Sequence, residues 1–293
     1  MPFFSVIIPS YNRAHLLPKA IQCVLNQTFT SYELIIVDDG SSDTTKEIVE
    51  SYLIHPHIKY LYQSNNGVCA ARNTGARNAV GQFIVFLDSD DEVSPNWLHD
   101  FFLVSQLDSF DVVFCDMEEV SDRGERRRVL AKKPYANRNV LGLFLAGVFA
   151  IKKTLFDEIG GYDELLKFGE NTELGIRLRM KDIHMGFTEA CNFFYKISIG
   201  EGGKNSRNKM ESNIRIVEKH TEYFKKNPNT KRLFLQVAAV SAIKIGEYRK
   251  ANRIFEQLKN EFPKDLKLRM QCFISSFPWL SDMVWKNKKN IRS

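Results

Sequence analysis

No stretch of this 293-residue chain approaches 18 uninterrupted apolar residues, so no transmembrane helix is expected. Its start, MPFFSVIIPSYN, lacks the basic flank and small-residue cleavage site of a signal peptide and reads as a strand. Cysteine is sparse. Cys23, Cys69, Cys115, Cys191 and Cys272 are odd in number, widely spaced and form no CxxC pair. That argues against a disulfide framework or a zinc site and fits a reducing cytoplasm. The 6 histidines show no HxH or HExxH spacing, so each is read as structural or exposed.

Hydrophobic residues make up 44% of the chain, enough for a real core. Charge is unevenly spread. Residues 207–293 hold 20 Lys and Arg against 8 Asp and Glu, a net +12, while residues 1–206 carry −6. The asymmetry points to two parts with different surroundings. A basic end suits an acidic partner or an anionic membrane face. No nucleic-acid motif accompanies the charge, so nucleic acid is not expected as a partner.

Strand and helix patterns alternate over the first 90 residues or so, which predicts a parallel α/β sheet. Phe4 to Ile8, Tyr32 to Val37, Ile58 to Tyr62 and Phe83 to Leu87 read as strands, and residues 111–116 (DVVFCD) as a fifth. Asn12 is the expected cap of the first helix, and Gly81 the close of a helix from about Val68 to Val80. Ser121 to Arg128, with its Arg126-Arg127-Arg128 run, reads as an exposed loop. Helices are expected around residues 153–159 and 170–180, then a last strand at 193–199 and a glycine-rich boundary at 200–208. Beyond it, 210–226, 231–245 and 248–262 read as helices. The last two resemble one tetratricopeptide unit, which cannot bury its own face alone.

The segment Phe83 to Asp91 reads FIVFLDSDD, a short apolar strand ending in three carboxylates within four positions. Ligands of open α/β sheets sit beyond the carboxyl ends of such strands. Hard oxygen ligands at this density suit magnesium or manganese bridging to phosphates. The other reading is an acidic loop capping a strand or helix. Two further clusters, Pro9-Ser10-Tyr11-Asn12 and Asp38-Asp39-Gly40-Ser41, follow the first and second strands and would share the same sheet edge.

In these segments, together with Asn66-Gly67, Ala71-Arg72-Asn73, Gly160-Gly161-Tyr162-Asp163 and Gly169 to Leu174, the chain resembles a family 2 glycosyltransferase of GT-A fold over about residues 3 to 200. The resemblance implies a mixed, mainly parallel sheet flanked by helices, with a helical C-terminal extension. It implies a metal-dependent, inverting transfer of sugar from a nucleotide-sugar, with a UDP-sugar as the expected donor. Asp88 and Asp90 are the implied ligands of a Mn²⁺ or Mg²⁺ ion. Donor contacts are implied for Pro9, Ser10, Tyr11, Asn12, Asp38, Asp39, Asn66, Gly67, Arg72 and Ser89, with Asp39 accepting from a uracil-like imide. An inverting displacement also needs a base for the acceptor hydroxyl. The family usually places an Asp where this chain has Asn171, and an amide takes no proton at neutral pH. Glu170 is therefore preferred as the base, with Glu173 second. Ser198 replaces a common His, which leaves Lys196 or Lys204 to meet phosphates. Trp97 and Asp91 are candidate acceptor contacts; core packing is the other reading of Trp97.

The expected division is a catalytic domain over 1–205, its nucleotide-sugar half 1–116 and its acceptor half 117–205, followed by a basic helical extension over 206–293. The acceptor expected from the resemblance is a saccharide or lipid-linked saccharide of bacterial surface polysaccharide synthesis. The extension would then rest on the inner face of the membrane. Two other readings stand beside this one. A nucleotidyltransferase would carry a glycine-rich basic loop where this chain has Pro9 to Asn12. A degenerate scaffold acting through its helical tail would account for Asn171 and Ser198.

Overall fold

A computed structural model describes residues 1–121, 124–131, 144–181, 183–196 and 205–286. The chain divides into two compact units. One comprises Met1–Glu164 and Glu170–Ile199, the other Leu165–Gly169 and Gly200–Ser293.

In the first unit β1 (Phe4–Ser10), β2 (Tyr32–Asp38), β3 (Ile58–Tyr62) and β4 (Phe83–Phe86) run parallel, in the order β3-β2-β1-β4. The connecting helices are α1 (Leu17–Leu25), α2 (Thr45–Glu50) and α3 (Val68–Asn78). Every residue of β1, β2 and β4 is buried. Both faces of these strands are covered, which is why their sequences are apolar runs rather than alternating patterns. The chain moves from β1 to β2 on one side and returns to β4 on the other, so the carboxyl end of β1 is a topological switch point.

Beyond β4 the sheet becomes mixed. β5 (Glu92–Val93), α4 (Trp97–Ser105), β6 (Val112–Val120), β7 (Arg126–Val129), β8 (Phe149–Lys152), α5 (Lys153–Glu158), α6 (Glu170–Met180) and β9 (Met185–Lys196) follow in sequence. Among the described residues the sheet reads β3-β2-β1-β4-β8-β6-β9-β5, with β7 on β6. β8 is antiparallel to both β4 and β6, and β9 is parallel to β6. The mixed sheet, its flanking helices and the helical region after it are the fold class expected from the sequence.

Local differences have physical reasons. β1 continues through Pro9 to Ser10. Ile7 accepts from Leu87 on the β4 side and Ser10 from Asp39 on the β2 side, so Pro9 faces the β4 side beyond the last β1–β4 pair. Its missing N–H removes no ladder bond there. α3 stops at Asn78, short of Gly81. Gly81 serves a close approach instead, since a Cβ there would lie 2.6 Å from the Ser5 nitrogen. Arg126 to Arg128 are not a loop but belong to β7. Arg126 pairs with Glu118, Arg127 with Glu119 and Arg128 with Asp116, so each arginine meets a carboxylate of β6.

The second unit is helical: α7 (Ser206–Lys219), α8 (Thr221–Lys226), α9 (Pro228–Lys244), α10 (Tyr248–Glu261), α11 (Leu266–Ser275) and α12 (Pro278–Ser281), then a π-turn over Asp282–Lys286. α9 packs on α7 and α10, and its Ala238, Ala239 and Ala242 are fully buried. The helix expected over 210–226 is broken at His220 into α7 and α8.

Candidate active site

Two hydrogen-bonded clusters form at the carboxyl edge of the parallel strands. The first joins the ends of β1 and β2 to the loop before α3. Asp38 is buried; its Oδ1 accepts from the Ser41 N–H at 2.8 Å and its Oδ2 from the Tyr60 hydroxyl at 2.7 Å. Asp39, also buried, accepts from Gln63 and from the backbone N–H groups of Asn66 and Gly67, at 2.7–2.9 Å. Those three bonds occupy most of a carboxylate's roughly four acceptor directions. Asp39 therefore organises the Asn66-Gly67 turn. Asn12 does not cap α1. It adopts φ 51°, a left-handed conformation that asparagine tolerates. Its Oδ1 accepts from the Ser42 N–H and its own N–H donates to the Ser41 hydroxyl. Pro9 and Ser10 are buried, and the Ser10 hydroxyl has no hydrogen-bond partner among the described residues. Tyr11, Asn66 and Gly67 are exposed.

The second cluster centres on Arg72. Gly75 lets α3 approach β1 closely: a Cβ there would come within 2.4 Å of Ile7 Cγ2. The Asn73 amide locks α3 to the turn at Tyr162, donating to its carbonyl and accepting its N–H. Arg72, one residue earlier, is only 1% exposed. Its Nη2 donates to Asp88 Oδ1 at 2.6 Å and its Nη1 to Glu170 Oε1 at 3.1 Å, and its guanidinium lies 5.2 Å from the centre of the Tyr162 ring. Burial acts against the guanidinium charge, but Asp88, Tyr162 and Glu170 outweigh it and hold the group above the usual arginine range. The Tyr162 hydroxyl donates to Asn171 Oδ1, and the Asn171 amide donates to Glu170 Oε1 at 3.2 Å. Glu170 Oε2 has no hydrogen bond among the described residues, on a side chain 18% exposed.

Asp90 follows Asp88 by two residues. Its Oδ2 lies 3.9 Å from Arg13, the residue after Asn12, in a half-exposed pair. Ser89 is buried. The side chains of Asp88 and Asp90 are 36% and 42% exposed. Among the described residues no three His, Cys, Asp or Glu side chains group to hold a metal. Magnesium, however, is commonly held by one or two carboxylates, with water and substrate phosphates completing its shell. Two open carboxylates at a strand end fit that mode.

Several expected roles do not survive the geometry. Trp97 is fully buried and donates its indole N–H to the Gly147 carbonyl, so its ring has no face for a sugar. Asp91 is also buried, its N–H bonded to the Asp88 carbonyl. The pair expected on the acceptor side is therefore interior. Glu173 has a fully buried side chain bound by Arg177 through both oxygens at 2.7–3.1 Å, so it is a helix ion pair and not a base open to an acceptor. Ser198 and Lys204 lie outside the described residues, and Lys196 is described only as the backbone end of β9. Tyr162, Gln63, Tyr60 and Arg13 carry no role in the sequence reading. Two of them left a signal there: Tyr162 within the Gly160-to-Asp163 motif, and Arg13 as a cation directly after the first edge cluster. Burial, chiefly, pushes the Cys69 thiol beside Glu170 up to about 12, which makes it a poor nucleophile.

A mixed sheet with its polar clusters gathered where the parallel strands end is the architecture of GT-A glycosyltransferases. The chain belongs to glycosyl transferase family 2, whose profile matches residues 5–162. It is similar to an uncharacterised glycosyltransferase of Rickettsia conorii, 30% identical over an aligned length of 318 residues that covers 99% of this chain and 49% of that protein. It is also similar to the minor teichoic acid biosynthesis protein GgaA of Bacillus subtilis, 33% identical over 209 residues, 66% of this chain and 47% of GgaA. The chain spans about half the length of the curated relatives it matches. The crystal structure of S. aureus TarS 1–349 in complex with UDP-GlcNAc shares the fold, with TM-score 0.63 and 20% identity over 94% of this chain and 79% of that one.

Proposed function

We propose that the chain transfers a sugar from a nucleotide-sugar to a hydroxyl of a saccharide or lipid-linked acceptor, with inversion, in bacterial surface polysaccharide assembly. The observation that carries this reading is the convergence of Asp88 and Glu170 on one buried guanidinium. Glu170 lies 98 positions from Arg72 and Asp88 lies 16 positions from it. A uridine diphosphate donor is favoured by the remaining acceptor direction on Asp39 and by the UDP-GlcNAc held in TarS. GgaA, named for minor teichoic acid biosynthesis, supports a cell-surface polymer as the acceptor class.

In this reading Arg72 and Asn171 fix Glu170 Oε1, and Oε2 takes the proton of the acceptor hydroxyl as its oxygen attacks the anomeric carbon. The bond between that carbon and the diphosphate oxygen breaks on the opposite face. A magnesium or manganese ion held by Asp88 and Asp90 would offset the charge of the departing diphosphate. Arg72 positions both carboxylates from beneath. The turn ordered by Asp39 and the exposed Tyr11 ring would flank the nucleoside.

A thermal-shift screen of nucleotide-sugars, with and without manganese, tests the reading. One donor is expected to stabilise the protein, by about 2.7 kcal/mol at a hundredfold excess over Kd. No shift with any nucleotide or nucleotide-sugar would contradict it.

A further inference from the structure

In the second unit α11 carries apolar residues on two opposite faces. Leu268 and Cys272 are buried in the unit. Leu266, Met270 and Phe273, with Phe277 just past the helix end, are 76%, 58%, 64% and 41% exposed. Their spacing of four, three and four residues lines them along a single stripe. Trp279 and Met283, beyond the end of α11, are also 69% and 57% exposed. A surface helix needs one apolar face for its own core, and a second face of this size marks an interaction surface.

The charges around the stripe identify what it meets. Nearby acids are already paired: Asp265 with Arg232, Glu256 with Lys259, Glu261 with Lys231 and Asp282 with Lys286. Lys264, Lys267, Arg269, Arg249 and Arg253 form no ion pair among the described residues. Lys267 and Arg269 flank the stripe on α11 itself. Arg249 and Arg253 line a cleft of about 590 Å³ that also includes Pro278, which stands between Phe277 and Trp279. Uncompensated cations on both sides of an aromatic stripe match an extended anionic plane with an apolar interior. None of the described helices is long and apolar enough to cross a membrane, so such a contact lies along the surface.

We propose that the α11–α12 face docks on an anionic lipid bilayer. The stripe enters the boundary between headgroups and acyl chains, and Arg249 and Arg253 receive headgroup phosphates. The proposal is independent of the transferase reading, because it involves no residue of the first unit.

Sedimentation with vesicles of phosphatidylglycerol and phosphatidylcholine, against pure phosphatidylcholine, tests it on the full chain. Binding is expected only to the anionic vesicles. Arg249→Gln with Arg253→Gln should weaken it by about fivefold per charge removed. Phe273→Glu with Phe277→Glu, both exposed positions, should abolish it while the circular dichroism melt stays unchanged. Absence of wild-type binding, or equal binding by the Glu variant, would overturn the proposal. A solution dimer that the Glu variant dissociates would do so too, by assigning the face to a second copy of the chain.

Discussion

Glu170 and Glu173 lie one helical turn apart yet occupy different surroundings. Glu173 is enclosed by Arg177, whereas Glu170 keeps Oε2 open beside Arg72. Glu170→Gln should therefore bind donor normally and lose turnover by about 10²- to 10⁴-fold, the usual contribution of a general base. Near-normal turnover in a donor-to-acceptor assay would remove Glu170 from that role. Glu173→Gln acts on stability instead, because it removes the buried carboxylate that holds the half-buried Arg177. Arg72 is the other residue where a single change has a large effect. Arg72→Ala would leave Asp88 and Glu170 facing each other without a cation, at a cost of about 3–5 kcal/mol in urea unfolding. Arg72→Lys restores the charge but not the fork that reaches two carboxylates, so it should recover only part of that loss. A cost below about 1 kcal/mol for the alanine variant would show that the pair is not an interior contact. The sequence displays Arg72, Asp88 and Glu170 as isolated letters. Their meeting on one guanidinium, and the Tyr162 ring beneath it, depend on packing between α3 and a turn some 90 residues away, which no local pattern reports.

The strands carry their own evidence. β1, β2 and β4 are apolar runs bounded by turn residues, so their existence and parallel arrangement were legible from periodicity. β7 was not, because RRRV has no apolar alternation and is held by cross-strand ion pairs to β6. Trp97 illustrates the same limit on α4. Its place after an acidic cluster suggested a ligand contact, while the carbonyl that accepts its N–H belongs to Gly147, far along the chain. Between elements, Glu33 of β2 is a buried tie. It accepts from Ser5 of β1 at 2.6 Å and from the Val80 N–H before β4 at 2.7 Å, and pairs with Lys59 of β3 at 2.7 Å. Burial alone would raise its pKa, but Lys59, Ser5 and Val80 together hold it below the ordinary glutamate value. A lowered folded-state value means that the stabilisation is complete above the unfolded value of about 4.3 and is lost as pH falls through the folded one. Glu33→Gln should cost about 1–3 kcal/mol at pH 7. The gap between variant and wild type in chemical unfolding should close on acidification below about pH 4. A gap that widened in acid would reverse the sign of this account.

At the scale of the molecule, the charge asymmetry in the sequence maps onto two units of different construction. The first presents hydrogen-bonded acidic and amide clusters at one sheet edge. The second combines paired acids with uncompensated cations. Composition revealed the contrast but not its form, since the exposed stripe on α11 appears only once the opposite face of that helix is seen to be buried. Family membership rests on residues 5–162, and the Glu170 region beyond them extends the same edge by packing.

In the proposed reaction the carboxylates beyond β4, Asp88 and Asp90, hold donor and metal while Glu170 performs the proton transfer. The most direct measurement compares Asp90→Ala and Glu170→Gln for manganese-dependent stabilisation by the nucleotide-sugar that shifts the wild-type melt. The account predicts a split: Asp90→Ala loses the shift, and Glu170→Gln keeps it in full. A manganese-dependent shift retained by Asp90→Ala would contradict the account.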